Sequence, residues 1–366
     1  MNATQQFYDL GQSLWLDNIT RELLTSGTLS RCINEFAVTG LTSNPTIFDH
    51  AIKEGAHYAD AIRQKAFAGK SGEDLFFELA MEDLVQAADL FRPVHDATGS
   101  LDGWVSLEVS PLLADDTAAT ITAAAQLHAR AQCPNLFIRI PGTIADLPAI
   151  EESIFAGVPV NVTLLFSHEQ YIAAAEAYMC AIGRRIATGL DPKIQSVASI
   201  FVSRWDVAVK NRGPASLRNR LGMAIAMGTY KAYRDLLADK RWQNLVAAGA
   251  CPQRLLWAST GTKDPAAPNV LYVEALAAPD TINTMPEKTL LAFAGHGRVS
   301  NVLRVHGGDA EAVLAEFAGA GIDYETLARD LQREGTAAFA KSWHDLMNQI
   351  SAKFSTITKV ASAWAA

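Results

Sequence analysis

Eight short apolar runs, separated by helical segments, constrain this chain more than any other feature. They are Ser13–Asp17, Ala37–Leu41, Trp104–Val109, Leu136–Ile140, Pro159–Leu164, Ser196–Phe201, Leu255–Ala258 and Thr281–Asn283. Each has strand length, and most are apolar on both sides of the alternation. That pattern suits strands covered on both faces, as in a parallel sheet. Helix signals lie between them. Tyr171–Ala187 is rich in Ala, follows the capping candidate Ser167, has Arg184 and Arg185 near its end, and meets a stop at Gly189. Leu217–Asp239 and Ala337–Phe354 are similar, and the connections Thr42–Gly103 and Val202–Arg254 must each hold more than one helix. No repeat of 20 to 50 residues and no Pro/Gly/Ser-rich linker divides the chain. The expected fold is a single (β/α)8 TIM barrel over residues 1–366, with additional C-terminal helices at about 309–366 packed outside it. A doubly wound open sheet is the alternative. Against it, no GxGxxG fingerprint follows the first strand, as a dinucleotide-binding fold would require.

Charge narrows the function. The 366 residues include 39 acids and 31 bases, a formal net charge of −8. A nucleic-acid binder needs a basic face, so no nucleic-acid partner is expected. The N-terminus lacks a basic segment followed by an apolar one, so no signal peptide is expected. The most apolar stretch, Gly157–Phe166, is too short for a bilayer and carries Pro159, Asn161 and Thr163, so no membrane partner is expected either. Cys32, Cys133, Cys180 and Cys251 are scattered, without CxxC spacing or disulfide density. A cytoplasmic protein with mostly buried thiols, a monomer or a homodimer, is the expectation.

In a barrel of this kind, chemistry sits at the C-terminal ends of the strands. Reading each run to its end gives Asp17, Asn44, Glu108, Arg139, Asn161, Thr163, Ser199, Arg204 and Lys263. A purely structural barrel would fill inward positions with Val, Ile and Leu, because an unpaired buried polar group costs about 1–3 kcal/mol. Each residue also has a plain structural reading. Asp17 could cap the helix that starts near Thr20. Asn44 before Pro45 suits the start of a turn. Thr163 fits strand propensity alone. Arg204 could pair with Asp206 on the surface. Ser259-Thr260-Gly261-Thr262-Lys263 could be an ordinary loop or a cradle for phosphate.

Together the segments resemble the transaldolase family, in particular its longer-chain bacterial branch. Gly40-Leu41-Thr42-Ser43-Asn44-Pro45-Thr46-Ile47-Phe48 looks like the GxTSNPTIF signature. The segments 106–114, 135–143, 161–167, 196–204, 257–265 and 283–286 look like strands 3 to 8, and the resemblance runs from about Gln12 to about Gly297. It implies transfer of a dihydroxyacetone unit between sugar phosphates, as in the pentose phosphate pathway, with no cofactor and no metal. A lysine on strand 4 would form a Schiff base with the donor ketone, and the iminium would act as an electron sink. By the resemblance, Asp17 is an acid/base for the donor hydroxyls, and Glu108 with Thr163 holds the water that moves protons. Asn44, Asn161 and Ser199 bind the sugar, and Arg204 and Lys263 bind the phosphate.

One position departs. Arg139 stands where the family has its Schiff-base lysine. An amine must be neutral to attack a carbonyl, whereas an Arg, with a pKa above ~12, stays protonated. Ordinary transaldolase activity is therefore not expected. Three readings follow. Arg139 is a natural replacement in an enzyme of a specialised biosynthetic pathway, where acid/base groups drive condensation, cyclisation, isomerisation or lyase chemistry. Alternatively it is an engineered change that abolishes imine formation, or the protein is a non-catalytic sugar-phosphate binder. The retained acid/base set favours an enzyme over a binder. Arg139 could instead form a salt bridge with Asp17 or Glu108, filling the space of the missing lysine.

Overall fold

The computed structural model describes residues 2–54 and 56–364, with the side chains at 54, 56 and 354–364 left aside. Eight parallel strands close into a barrel in chain order: β1 Ser13–Asp17, β2 Val38–Thr42, β3 Trp104–Glu108, β4 Leu136–Pro141, β5 Val160–Leu165, β6 Ser196–Phe201, β7 Gln253–Ala258 and β8 Thr281–Met285. Closure comes from the pairing of β1 with β8, where Ser13 lies opposite Ile282 and Leu16 opposite Met285. Every residue of β2 to β8 is buried, as strands covered on both faces require. Helices fill each crossover, so the architecture is a (β/α)8 TIM barrel with further helices after β8.

The barrel interior is layered. At its N-terminal end Asp102 accepts hydrogen bonds from Ser13 Oγ, from Trp15 Nε1 at 2.8 Å and from Thr39 Oγ1 at 2.8 Å. Arg254 Nη2 donates to Ser13 Oγ at 2.6 Å and to the Thr281 carbonyl at 2.9 Å. Above this network Trp104 stacks on Phe137, with ring centroids 4.1 Å apart, and Trp15 lies 6.1 Å from Phe137. All three rings are buried and form an aromatic plug inside the barrel. Gly40 makes room for the plug. A Cβ there would stand 2.6 Å from the Trp15 ring and 2.7 Å from the Trp104 carbonyl oxygen. Gly40→Ala is therefore expected to destabilise the fold by about 1–3 kcal/mol, as overpacking does. Urea unfolding with an unchanged midpoint would contradict the plug.

Local capping corrects two sequence readings. Thr20, not Asp17, caps the helix Arg21–Thr25, its Oγ1 accepting from Leu23 N at 3.0 Å. Asp206 does not pair with Arg204. It is buried and accepts from Leu221 N, Gly222 N and, at 2.8 Å, Tyr272 OH. Ser167 caps the helix His168–Ala187, and Gly189 follows its end in the left-handed region, as expected. The thiols are more varied than expected: Cys32 is buried, Cys133 and Cys251 are half-buried, Cys180 is exposed, and all four are free.

The C-terminal helix Tyr324–Trp364 packs against the helices Pro45–Glu54 and Gly72–Ala97. Trp343 sits against Phe76, centroids 4.9 Å apart, and donates to Glu73 Oε1 at 2.8 Å. The same helix reaches the barrel mouth. Gln332 Nε2 donates to the carbonyls of Gly142 and Leu164, both at 3.0 Å, beyond the β4 end and at the β5 end. No helix of the described residues is long and apolar enough to cross a membrane.

Candidate active site

A cavity of about 770 Å3 opens at the C-terminal ends of the strands. Asp17, Asn44, Arg139, Ser199, Arg204 and Lys263, all singled out from the sequence, line it. Glu108, Asn161 and Thr163 do not; they are buried within the strands beneath its floor.

Arg139 separates the two levels. Its position on β4 is opposite Glu108 of β3 and Asn161 of β5. Only 4% exposed, it donates through Nη1 to the Ser43 carbonyl and through Nη2 to Thr163 Oγ1 at 2.7 Å. Nη1 also lies 3.8 Å from Glu108 Oε2, an ion pair without a hydrogen bond. The salt bridge expected for Arg139 thus forms with Glu108. A guanidinium carries five N–H donors. Two are engaged, and Nε, among the other three, is buried without a partner. Arg139 therefore bridges Glu108 and Thr163.

Two carboxyls flank this cation. Glu108 is buried, and neither of its oxygens has a hydrogen-bond partner. Burial pushes its pKa up to about 7; Arg139 opposes the rise and Asp17 adds to it. A carboxyl at that value exchanges a proton near neutral pH, as a general acid or base must. Burial raises the Asp17 pKa as well, against the pull of Arg139, a hydrogen bond from Thr42 and the charge of Lys263. Thr42 Oγ1 donates to Asp17 Oδ1 at 2.8 Å and lies 2.8 Å from Thr284 Oγ1. On the opposite wall Ser199 Oγ donates to Asn161 Oδ1 at 2.7 Å, and Asn161 Nδ2 donates to Ser106 Oγ at 3.3 Å. Asn161 thus orients Ser199, which is the member of the pair that meets the cavity. Asn44 Oδ1 accepts from Ile47 N at 3.1 Å, which starts the helix Pro45–Glu54.

The cations gather at β6 and β7. Ser203 N donates to the Ser259 carbonyl at 3.0 Å, and their hydroxyls lie 2.9 Å apart, so the helix Ser203–Ala208 that carries Arg204 is tied to the loop that leads to Lys263. The Arg204 guanidinium lies 5.4 Å from the Phe201 ring centroid. Burial lowers its pKa, and Glu334 partly offsets this. Among the described residues neither Arg204 nor Lys263 has a salt-bridge partner, so this end of the cavity presents positive charge to an anion. Lys263 is the one lysine among the described lining residues.

Further lining residues were not read from the sequence. Thr42 and Thr284 lie one residue beyond the ends assigned from the apolar runs. Arg21, His50 and His57 belong to loops and helices above the β1 and β2 ends. Arg21 is held by Asp83 at 2.8 Å and Glu82 at 3.0 Å. Phe339 comes from the C-terminal helix.

The closed parallel barrel, with its cavity at the C-terminal ends of the strands, belongs to the class of TIM-barrel proteins. Similarity makes the assignment specific. Residues 14–350 match the family described as Transaldolase/Fructose-6-phosphate aldolase. The chain is 42% identical to the transaldolase of Arthrobacter sp. (strain FB24), over 98% of this chain and 99% of that protein. It is 44% identical to the transaldolase of Acidothermus cellulolyticus over 92% of each chain, and 43% identical to transaldolase 1 of Streptomyces avermitilis over 95% and 94%. The chain belongs to the transaldolase/fructose-6-phosphate aldolase family.

Proposed function

We propose that the cavity is the active site of a transaldolase-type enzyme that acts on a sugar phosphate, or a related carbonyl compound, without forming a Schiff base. The observation that carries this reading is Arg139, which lines the cavity and is held beside a carboxyl that burial raises to about 7. Arg139 supplies no free amine, but its remaining N–H donors suit the oxygen of an enolate formed next to a carbonyl. Glu108, buried beside Arg139 and outside the cavity lining, takes or returns the proton through a water, and Asp17 serves the substrate hydroxyls. Asn44 and Ser199 bind the sugar, with Asn161 and Thr163 holding Ser199 and Arg139 in place. Arg204 and Lys263 bind the phosphate and set the direction of the chain across the floor.

A second reading is a binder of sugar phosphates that does not turn them over. It is supported by the burial of Glu108 and Thr163 beneath Arg139, away from the cavity. One measurement tests the phosphate site that both readings share, and a second separates them. Millimolar fructose 6-phosphate is expected to raise the melting temperature, and Arg204→Ala to abolish the rise; an unchanged melting temperature in both proteins would refute the phosphate site. Dihydroxyacetone phosphate in deuterated water is expected to exchange hydrogen next to its carbonyl when the protein is present. Binding without exchange would favour the binder.

A further inference from the structure

The C-terminal helix sends one large side chain into the cavity. Phe339 is 6% exposed and shares the lining with Ile47, Phe201 and Arg204. The helix is anchored on both sides of it, by Gln332 on the Gly142 and Leu164 carbonyls and by Ser342, whose Oγ accepts from Thr46 Oγ1 at 2.8 Å. Between these anchors Gly335 lies against the barrel. A Cβ there would stand 2.9 Å from Leu164 Cδ2 and 3.8 Å from Arg204 Nη1. Leu164 itself holds a left-handed conformation, φ 59°, with its carbonyl turned to Gln332. The turn from Gly335 to Phe339 is therefore a wall, with the Arg204 guanidinium at one end and an aromatic side chain at the other. A phosphorylated carbon chain matches that pairing, because its phosphate suits the cation and its C–H faces suit the ring.

We propose that Phe339 is a specificity-determining residue that contacts the carbon chain of a phosphosugar whose phosphate Arg204 holds. Gly335 is the positioning residue that lets the helix close on Arg204. The inference rests on the phosphosugar reading of the cavity. Calorimetric titration of the full chain with inorganic phosphate and with fructose 6-phosphate tests it. Phe339→Ala is expected to weaken fructose 6-phosphate about tenfold and to leave inorganic phosphate within about twofold, because the ring touches carbon and not phosphate. Phe339→Leu should recover part of the loss. Gly335→Val should weaken both probes, because a branched side chain pushes the helix from Leu164 and disturbs Arg204. Unchanged fructose 6-phosphate affinity in Phe339→Ala overturns the proposal. Equal loss for both probes also overturns it, making Phe339 a structural support. A parent protein that binds phosphate but not fructose 6-phosphate removes the phosphosugar reading itself, and the parent titration alone reveals that outcome.

Discussion

Glu108→Gln is expected to slow turnover by roughly 10²–10⁴-fold, the usual contribution of a positioned acid or base. The substitution keeps the shape of the side chain and removes its capacity to hold a proton, together with the charge that faces Arg139. The parent group is suited to that task. It is buried, its oxygens are unpartnered, and burial brings it to about 7 despite the opposing charge of Arg139. The carboxylate form that accepts a proton grows in as pH rises through about 7. The parent rate should therefore climb across neutrality, and that limb should vanish in Glu108→Gln. Stability carries the opposite sign. Between the ordinary carboxylate range and about 7 the unfolded chain has released this proton while the folded chain keeps it, so stability falls as pH rises through that window. Hydrogen exchange into dihydroxyacetone phosphate, followed across pH in both proteins, checks the first claim. Near-normal exchange in the variant would remove Glu108 from the mechanism.

The strands were legible as short, mostly apolar runs between helix signals. Ser196–Phe201 is a strand over those same residues, and Ser13–Asp17 likewise. Polar strand residues hid the ends of two others. β7 begins two residues earlier than its apolar run, at Gln253, because Gln253 and Arg254 point into hydrogen bonds with Ser196 and with Ser13 and Thr281. β8 runs on through Thr284, whose hydroxyl meets that of Thr42. The site was legible because strand ends in a closed barrel converge whatever the helices do. Its depth was not. That Arg139 stands between Glu108 and Thr163 depends on which acceptors its guanidinium finds, and the carbonyl of Ser43 is one of them. Asp206 was misread because Arg204 is its neighbour in sequence, while its partners Leu221, Gly222 and Tyr272 come from later elements. Phe339 had no local signal, since its place follows from how a distant helix docks on the mouth.

Arg139→Lys is expected to convert a protein that forms no covalent adduct with a ketose phosphate into one that does. Around that position Asp17 and Glu108 act on the cation, and Arg204 and Lys263 line the same cavity. A lysine there would sit at a buried position, where desolvation lowers an amine pKa and frees its lone pair. Glu108 and Asp17 work against this by favouring the charged amine, so the recovered transfer activity should be modest even where the adduct forms. The protein itself should form none, because a protonated guanidinium does not attack a carbonyl. The decisive measurement is intact mass spectrometry after treatment with fructose 6-phosphate and borohydride, on the protein and on Arg139→Lys. The loss of the lysine predicts an unchanged mass for the protein and one reduced adduct for the variant. A borohydride-stable adduct on the protein itself, on Lys263 or any other lysine, would contradict it.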